Sequence, residues 1–525
     1  MTATSAQPEP AAATPTSRRK VLQALSGLMV GMFVSILAST VVANALPRII
    51  TDLQGTQTVY TWIVTTELLA MTATVPLWGK MADLYSKKLL IQLSLGLFVA
   101  GSLIAGLTPN VEILIVSRAV QGIGAGGMTA LSMVVMAAMI PPRELGRYSG
   151  IFGAVFGIGT VAGPLIGGVL VDTSWLGWRW CFLLGVPFTI VAIILLQRTL
   201  DLPVVRKKVK VDYLGALLIT AGVSTLLIWS SLAGNQFAWG SWQTAVLVGG
   251  GLLVLALAVF VESRAAEPII PLAIFRNRTV ALATIASALV GVAMFGGTVF
   301  LSQYFQVALG KSPTVAGLMS LPMVFGLLIS STVAGQLITK TGRWKGFLVA
   351  GGVVMLGGMG LLATIDGQTG SVMLGVYMAV LGIGVGMLMQ NLVLAAQNDV
   401  PAQDLGSTTS VLTFFRSMGG TIGVSALGAV LANRVTTLLT EKLGPMAAAG
   451  GGGDTHAVPD ISKLPAPVVR VIQDVYATAT AELFLIGVPL TVLALVAVLF
   501  IKEKPLATLS GEERLARERA EASGH

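Results

Sequence analysis

The chain has 525 residues, of which 54% are hydrophobic and only 11% are charged, and its mean hydropathy is +0.84. Soluble domains carry about 25% charged residues, so this composition excludes a water-soluble globular protein. The net charge of +9 does not indicate nucleic-acid binding, because the basic residues are scattered between apolar runs.

Apolar runs long enough to cross a bilayer recur along the whole chain. A membrane-spanning helix needs about 20 predominantly apolar residues. The runs that meet this length predict spans near 22–46, 58–78, 89–107, 112–136, 148–171, 180–198, 213–232, 243–262, 280–301, 314–338, 346–364, 371–391, 406–431 and 481–501. The predicted fold is therefore an all-α integral membrane bundle of about fourteen transmembrane helices.

Basic residues indicate how these helices are oriented. With both termini in the cytoplasm, 24 of the 33 Lys and Arg residues fall in cytoplasmic segments and seven fall outside. Arg118 and Arg416 are the two that lie within spans. An excess of basic residues in cytoplasmic segments is the positive-inside rule. We therefore expect a multi-pass protein of the cell (inner or plasma) membrane with both termini cytoplasmic.

Two short patterns recur in the second half of the chain. The stretch that begins at Gly79 is echoed at Gly335, 256 residues later, and residues 122–126 are echoed by 382–386, 260 residues later. The repeats predict two related six-helix halves, a plan in which transporters bind substrate between the halves near the bilayer midplane. In chain order we expect a disordered cytoplasmic N-terminus (1–21), an N-terminal half (22–200), two inserted helices (201–265), a C-terminal half (266–501, with an external loop at 432–480) and a cytoplasmic tail (502–525).

The stretch 79–88 resembles the loop motif of the major facilitator superfamily, and of its fourteen-helix drug/proton antiporter branch. Gly79, Asp83 and the basic pair Lys87 and Lys88 match that motif, while Ser86 stands where the family has glycine. The resemblance implies a latch between neighbouring helices. A carboxylate that faces a helix N-terminus or a base has an electrostatic reason to act in this way. The segment that begins at Arg118 is similar to the family's fourth-helix motif.

A glycine-rich segment in the fifth predicted span resembles the family's antiporter motif. Its matching residues are Gly159, Gly163, Pro164, Gly167 and Gly168. The resemblance implies an exporter rather than an importer. Glycine lets helices approach closely and proline bends a span, so close packing by itself is an alternative reason for this composition.

Glu67 stands out because it is the one acidic residue predicted deep within a span. The branch usually carries an aspartate in helix 1, but this chain has Ala38 at that position. By helical rise, Glu67 lies roughly 13 Å from the outer end of its span, and Arg118 and Arg416 also fall in the middle third of theirs. Ionisable groups at this depth are functional candidates by default. We predict that Glu67 couples protons; a structural Glu67–Arg118 pair is the alternative.

The sequence predicts a proton-coupled secondary transporter that exports small lipophilic compounds by alternating access, and not an enzyme. No Walker-type nucleotide motif occurs, and no cofactor or metal is expected. The expected partners are a small-molecule substrate, protons and the lipid bilayer, with the chain acting as a monomer. The alternatives are an exporter of an endogenous metabolite or lipid-like compound, an importer, or a non-transporting membrane protein.

The resemblance implies substrates that are often cationic, but the deep charges of this chain weaken that expectation. Glu67, Arg118 and Arg416 sum to +1 when Glu67 is ionised and to +2 when it is protonated. The sequence is therefore also compatible with neutral or anionic substrates.

Overall fold

The computed structural model describes residues 18–53, 57–144, 148, 155, 157–159, 162–163, 166–167, 169–170, 173, 176–200, 212–233, 237–265, 268–311, 313–443 and 466–523. Within these residues the chain is almost entirely helical, and its one β contact is an isolated bridge between Ala233 and Phe237. The predicted all-α class is confirmed.

The helices of the described residues are named here in chain order. The first group is α1 (Arg18–Asp52), α2 (Gln57–Leu84), α3 (Lys87–Gly106), α4 (Val111–Met139), α5 (Trp180–Leu183) and α6 (Gly185–Thr199). A pair follows, α7 (Tyr213–Leu232) and α8 (Trp242–Glu262). The last group is α9 (Arg278–Val307), α10 (Pro313–Met319), α11 (Leu321–Thr341), α12 (Lys345–Leu362), α13 (Ser371–Asn398), α14 (Leu405–Leu443), α15 (Ala466–Leu499) and α16 (Gly511–Ser523).

Polar residues at the edges of the apolar runs decide where several helices begin and end. The Asn110 side chain accepts a hydrogen bond from the Ile113 N–H at 3.0 Å and so caps the start of α4. Asp212 does the same for α7 through the Gly215 N–H at 2.8 Å. At its C-terminus, α11 is capped by Gly342, whose φ of 71° is a left-handed conformation that favours glycine.

Eleven helical segments among the described residues are long and apolar enough to cross a membrane. The chain is therefore a multi-pass membrane protein. Three predicted spans are not among the eleven: α2 contains Glu67, Lys80 and Asp83, the apolar part of α7 is shorter, and 148–171 lies largely outside the described residues. The count of fourteen stays a prediction.

Close helix contacts repeat in the two halves. Gly122 on α4 packs against the backbone carbonyl of Glu67 on α2, and Gly382 on α13 packs in the same way against that of Met323 on α11. A Cβ atom at either glycine would collide with the carbonyl. The same correspondence relates Gly124 with Phe98 to Gly384 with Met355, and Gly126 with Met71 to Gly386 with Leu327. The predicted pseudo-symmetry of the halves is confirmed.

Helices extend beyond several predicted boundaries. The predicted disordered segment 1–21 is corrected at its end, because α1 begins at Arg18, while residues 1–17 lie outside the described residues. Residues 79–84 of the predicted loop 79–88 belong to α2. Hydropathy marks where a helix leaves the apolar phase, but the helix itself continues as long as its backbone hydrogen bonds do.

The predicted external loop at 432–480 is also corrected. Helix α14 continues to Leu443 and α15 already begins at Ala466, so much of this segment is helical. Two ion pairs join the helical extensions, one between Arg434 and Glu482 and one between Lys442 and Asp474. In the predicted tail, residues 511–523 form α16.

Candidate functional site

Glu67 connects three helices in the interior of the N-terminal half. It lies on α2, about 15 Å along the helix from Gln57, and is only 2% exposed. Its Oε1 accepts a hydrogen bond from Ser39 Oγ on α1 at 2.8 Å, and its Oε2 forms an ion pair with Arg118 Nη2 on α4. Ser39 follows Ala38 in the chain, so the carboxylate of Glu67 meets α1 beside the position where the family's acid is absent.

Arg118 has a partner for each of its three guanidinium nitrogens. Besides the Glu67 pair, its Nε donates to the Ile63 carbonyl at 3.2 Å and its Nη1 to Gln121 Oε1 at 2.7 Å. Gln121 Nε2 in turn donates to Ser102 Oγ on α3 at 2.9 Å. A buried ion pair needs such additional hydrogen bonds to offset the loss of hydration. We call Ser39, Glu67, Ser102, Arg118 and Gln121 the polar network.

Sequence reasoning identified the two charges of the polar network but missed the three neutral members. Gln121 lies three residues after Arg118, a spacing that places two side chains on the same side of a helix, and this signal was available. Ser39 and Ser102 lie on other helices. Their contacts depend on how α1, α2, α3 and α4 pack, which no local pattern shows.

The corresponding positions of the C-terminal half carry methionines. Met323 lies 256 residues after Glu67, and Met378 lies 260 residues after Arg118. Both methionine side chains are buried among apolar neighbours. The polar network is thus a property of one half and not of the repeated scaffold.

Arg416 stands apart from the polar network. Gly79 on α2 packs against Ser410 on α14. Arg416 lies six residues beyond that contact, or about 9 Å, whereas Glu67 lies twelve residues beyond it in the same direction, or about 18 Å. Arg416 is 7% exposed, and its Nη1 is enclosed without a hydrogen-bond partner.

Asp83 joins the two halves at one end of the bundle. Its Oδ1 accepts a hydrogen bond from the Gly406 N–H at 3.0 Å, and its Oδ2 accepts from the N–H and the hydroxyl of Ser407 at 2.9 and 2.7 Å. Gly406 and Ser407 form the start of α14, where unpaired N–H groups and the helix dipole favour a negative charge. Gly79 permits the close approach, because a Cβ atom there would collide with Ser410.

The basic pair of the predicted latch does not share this contact. Lys88 Nζ donates to the Gln197 carbonyl on α6 at 2.8 Å, which ties two helices of the same half together. Lys87 begins α3, and its charge interacts with Asp83. Gly79 and Asp83 are therefore the latch residues that meet the C-terminal half.

The described residues of the predicted antiporter motif pack against α1. Gly159 contacts Ile36, and its carbonyl accepts a hydrogen bond from Thr40 Oγ1 at 3.1 Å. A Cβ atom at Gly163 would collide with Thr40. Gly167 is buried, while Pro164 and Gly168 lie outside the described residues. These contacts are those of close helix packing.

Two pseudo-symmetric groups of membrane helices, joined at one end and enclosing buried charges, define this protein as a membrane transporter. The model of the Major Facilitator Superfamily matches residues 28–424. The chain belongs to this superfamily, whose members are transporters of small molecules and not enzymes. The predicted family is confirmed.

Several relatives cover most of the chain. The multidrug transporter protein MdtP of Bacillus subtilis is 37% identical over 429 residues, which cover 82% of this chain and 78% of the relative. Multidrug resistance protein 3 of the same organism is 31% identical over 497 residues, covering 92% and 95%. Among solved structures, the proton:xylose symporter XylE has a TM-score of 0.58 and 14% identity over 96% of this chain and 100% of that chain, and supports the fold alone.

Proposed function

We propose that this transporter exports small lipophilic compounds in exchange for protons by alternating access, and that Glu67 is the residue that couples protons to export. The observation that carries the proposal is the polar network. It contains a carboxylate that is 2% exposed and paired with one arginine, ten residues from the start of the 28-residue helix α2. A carboxylate at such depth is costly to maintain, which is why it marks a functional site.

The Glu67–Arg118 ion pair has two states, one with Glu67 ionised and one with Glu67 protonated. When Glu67 is ionised, it holds α2 against α1 and α4 through Ser39 and Arg118. A proton on Glu67 removes the negative charge, weakens the attraction to Arg118 and frees the three helices to shift relative to one another. Loss of the proton restores the pair, so the protonation state biases the protein toward one facing of the cavity.

The contact of Asp83 with α14 is the second moving part of the proposal. Its partners are two N–H groups and one hydroxyl, all from the other half. Hydrogen bonds to a charged group contribute about 1.5–3 kcal/mol each, so a cluster of three holds one closed state without making it irreversible. The halves separate here when the cavity opens at this end.

Export of drugs is the activity that the names of the relatives favour. MdtP and multidrug resistance protein 3 are named for drug transport and resistance, and each matches more than four fifths of this chain. A resistance screen across compound classes, in a host that lacks its own efflux pumps and with or without this protein, identifies the substrates. Resistance to no class tested would contradict the drug-export assignment.

The decisive change for coupling is Glu67→Gln. The glutamine carbonyl still accepts a hydrogen bond from Arg118, but the side chain does not titrate. We expect pH-gradient-driven accumulation of a dye substrate in inverted membrane vesicles to fall to background, while binding of that dye to the purified protein is largely kept. The double change Glu67→Gln with Ala38→Asp should recover part of the accumulation, since it restores an acid at the family's position.

The matched control for this experiment is Glu482→Gln. Glu482 also pairs with an arginine, Arg434, but the two side chains are 34% and 42% exposed. Its substitution should leave accumulation unchanged. If Glu67→Gln keeps full uphill transport, protons couple through another group and the Glu67–Arg118 pair is structural.

We also propose that both termini and the connection between α2 and α3 face the cytoplasm of a cell-membrane protein. The basis is the asymmetry of 24 against seven basic residues. Lys87→Cys in a Cys181→Ala background should resist a membrane-impermeant thiol reagent in intact cells and react once the membrane is permeabilised. Labelling in intact cells would reverse the orientation.

A further inference from the structure

Arg416 is a buried cation with no ion pair among the described residues. It lies eleven residues from the start of α14, about 17 Å along the helix, and is 7% exposed. Its Nη1 is enclosed and makes no hydrogen bond, and among the described residues no acidic side chain interacts with its charge. Arg118, which is also buried, has partners for all three of its nitrogens.

Three of the helices that pack against α14 carry no acidic residue at all. These are α7, α9 and α13. The predicted span 148–171 contains none either. The closest packing is with α9, where Gly291 lies against the backbone carbonyl of Arg416. Among the described residues, α7, α9 and α13 therefore supply no counter-charge to Arg416.

The acidic residues of the other described neighbours of α14 are engaged elsewhere or lie at helix ends, as does Asp404 in the 3-10 turn that precedes α14. On α2, Glu67 pairs with Arg118 and Asp83 binds the start of α14. On α15, Asp474 and Glu482 pair with basic residues of the α14 extension. On α4, Glu112 lies in the first turn, at the helix end. Among the described residues, the fold thus brings a guanidinium into the interior without a carboxylate to pair with it.

The free-energy cost of burying the Arg416 guanidinium cannot be avoided by losing its proton. Removing a charge from water costs several kcal/mol even after the protein relaxes, and a guanidinium does not deprotonate in proteins. A counter-anion from outside the protein would offset the cost of burying this permanent charge. The planar guanidinium matches carboxylate oxygens in a two-point hydrogen-bonded geometry.

We propose that Arg416 binds the carboxylate, or a similar oxyanion, of the transported compound, so that the cargo includes amphiphilic organic anions. The inference rests on the proposed export function and names its substrate class.

The stripe of α14 that carries Arg416 also offers a surface for the apolar part of such a compound. Leu427 lies eleven residues after Arg416, which places it on almost the same side of the helix, about 16 Å away. A narrow crevice beside Leu427 is lined by Val292, Phe300 and Phe484. A cation near one end of this stripe and apolar side chains toward the other suit a molecule with one anionic group and a hydrophobic body.

The test uses binding, so that it does not depend on proton coupling. The full-length protein is placed in phosphatidylcholine nanodiscs and titrated with three fluorescent probes that share a pyrenebutyl body. One probe ends in a carboxylate, one in a neutral amide and one in a trimethylammonium group. The variants are Arg416→Gln, Arg416→Lys and, as a matched control, Arg434→Gln, which removes the same charge from the outer part of the same helix.

We expect wild type and Arg434→Gln to bind the carboxylate probe at least tenfold more tightly than the amide probe. Arg416→Gln should lose this preference with its amide affinity kept, and Arg416→Lys should keep part of it. Equal binding of all three probes by wild type, absence of binding, or a preference that survives in Arg416→Gln overturns the proposal. Retained amide binding shows that the variant is folded.

A second arm separates the two sources of an anion. Nanodiscs that also contain phosphatidylglycerol present anionic headgroups beside the probe. We expect the carboxylate preference to persist there. Its disappearance in this arm alone would assign Arg416 to a lipid headgroup and overturn the substrate assignment. Failure of Glu67→Gln to impair uphill transport would contradict the coupling proposal and leave the probe preference intact, so the two failures are distinguishable.

Discussion

Arg118 and Arg416 are both buried arginines in long apolar helices, one in each half of the bundle, yet their surroundings differ. Arg118 is 2% exposed and satisfied by Glu67, Gln121 and the Ile63 carbonyl. Arg416 is 7% exposed and has an enclosed nitrogen with no partner. The difference shows that depth alone does not define the role of a charge. The first arginine belongs to the protein's own polar network, whereas the second is the residue that we propose binds the transported anion.

The internal repeat sharpens this contrast. The two halves share the close contacts of their glycines, as at Gly122 and Gly382. They do not share the polar network, because Met323 and Met378 occupy the positions of Glu67 and Arg118. The close glycine contacts are thus present in both halves. The charges differ between the halves, as expected for groups that serve coupling or substrate binding rather than the scaffold.

The largest effect on stability should follow Arg118→Gln. It leaves Glu67 as an uncompensated buried charge, and breaking a buried pair in this way costs about 3–5 kcal/mol. Thermal unfolding of the purified protein should therefore occur at a clearly lower temperature. Arg416→Gln, in contrast, removes an unpaired charge and should unfold at the same temperature as wild type or a higher one.

Two further variants test whether the comparison is specific. Adding Glu67→Gln to Arg118→Gln should recover part of the lost stability, since the stranded charge is gone. Arg434→Gln should change little, because its ion pair is exposed. If Arg416→Gln is as destabilising as Arg118→Gln, then Arg416 has a protein partner and the contrast between the two arginines is wrong.

A smaller effect is expected for Asp83→Asn, which changes a charge whose hydrogen-bond partners are neutral groups of the other half. The substitution removes the charge at the start of α14 and places an amide donor against N–H groups. The protein should insert into the membrane at normal levels but transport more slowly, because one end state of the cycle is weakened. Expression and initial transport rate measure the two effects.

Asp366→Asn is the matched control for this variant. Asp366 also accepts hydrogen bonds from a backbone N–H and a hydroxyl, but these belong to Gln368 and Thr369 in its own loop. Its substitution should leave the transport rate unchanged. An unchanged rate in Asp83→Asn as well would remove Asp83 from the transport cycle.

The sequence by itself determined the all-helical membrane class, most of the helices and the family. Hydropathy depends only on which residues are apolar, and the repeated glycines are found from their spacing along the chain. Both can therefore be read from the sequence alone. Glu67, Arg118 and Arg416 were singled out in the same way, by charge in the midst of apolar runs. The limits of this information show at 432–480, where helices continue past the point at which hydropathy falls.

Only the tertiary structure decided which charges meet. Glu67 and Arg118 lie 51 residues apart in the chain, and the contacts of Ser39 and Ser102 with their network depend on the packing of four helices. Asp83 reaches Ser407 across 324 residues. The same packing leaves Nη1 of Arg416 without a hydrogen-bond partner among the described residues, which no spacing along the chain reveals. A hydrogen bond or ion pair requires atoms within about 3 Å, and where helices are joined by loops, that proximity is set by the fold and not by the order of residues.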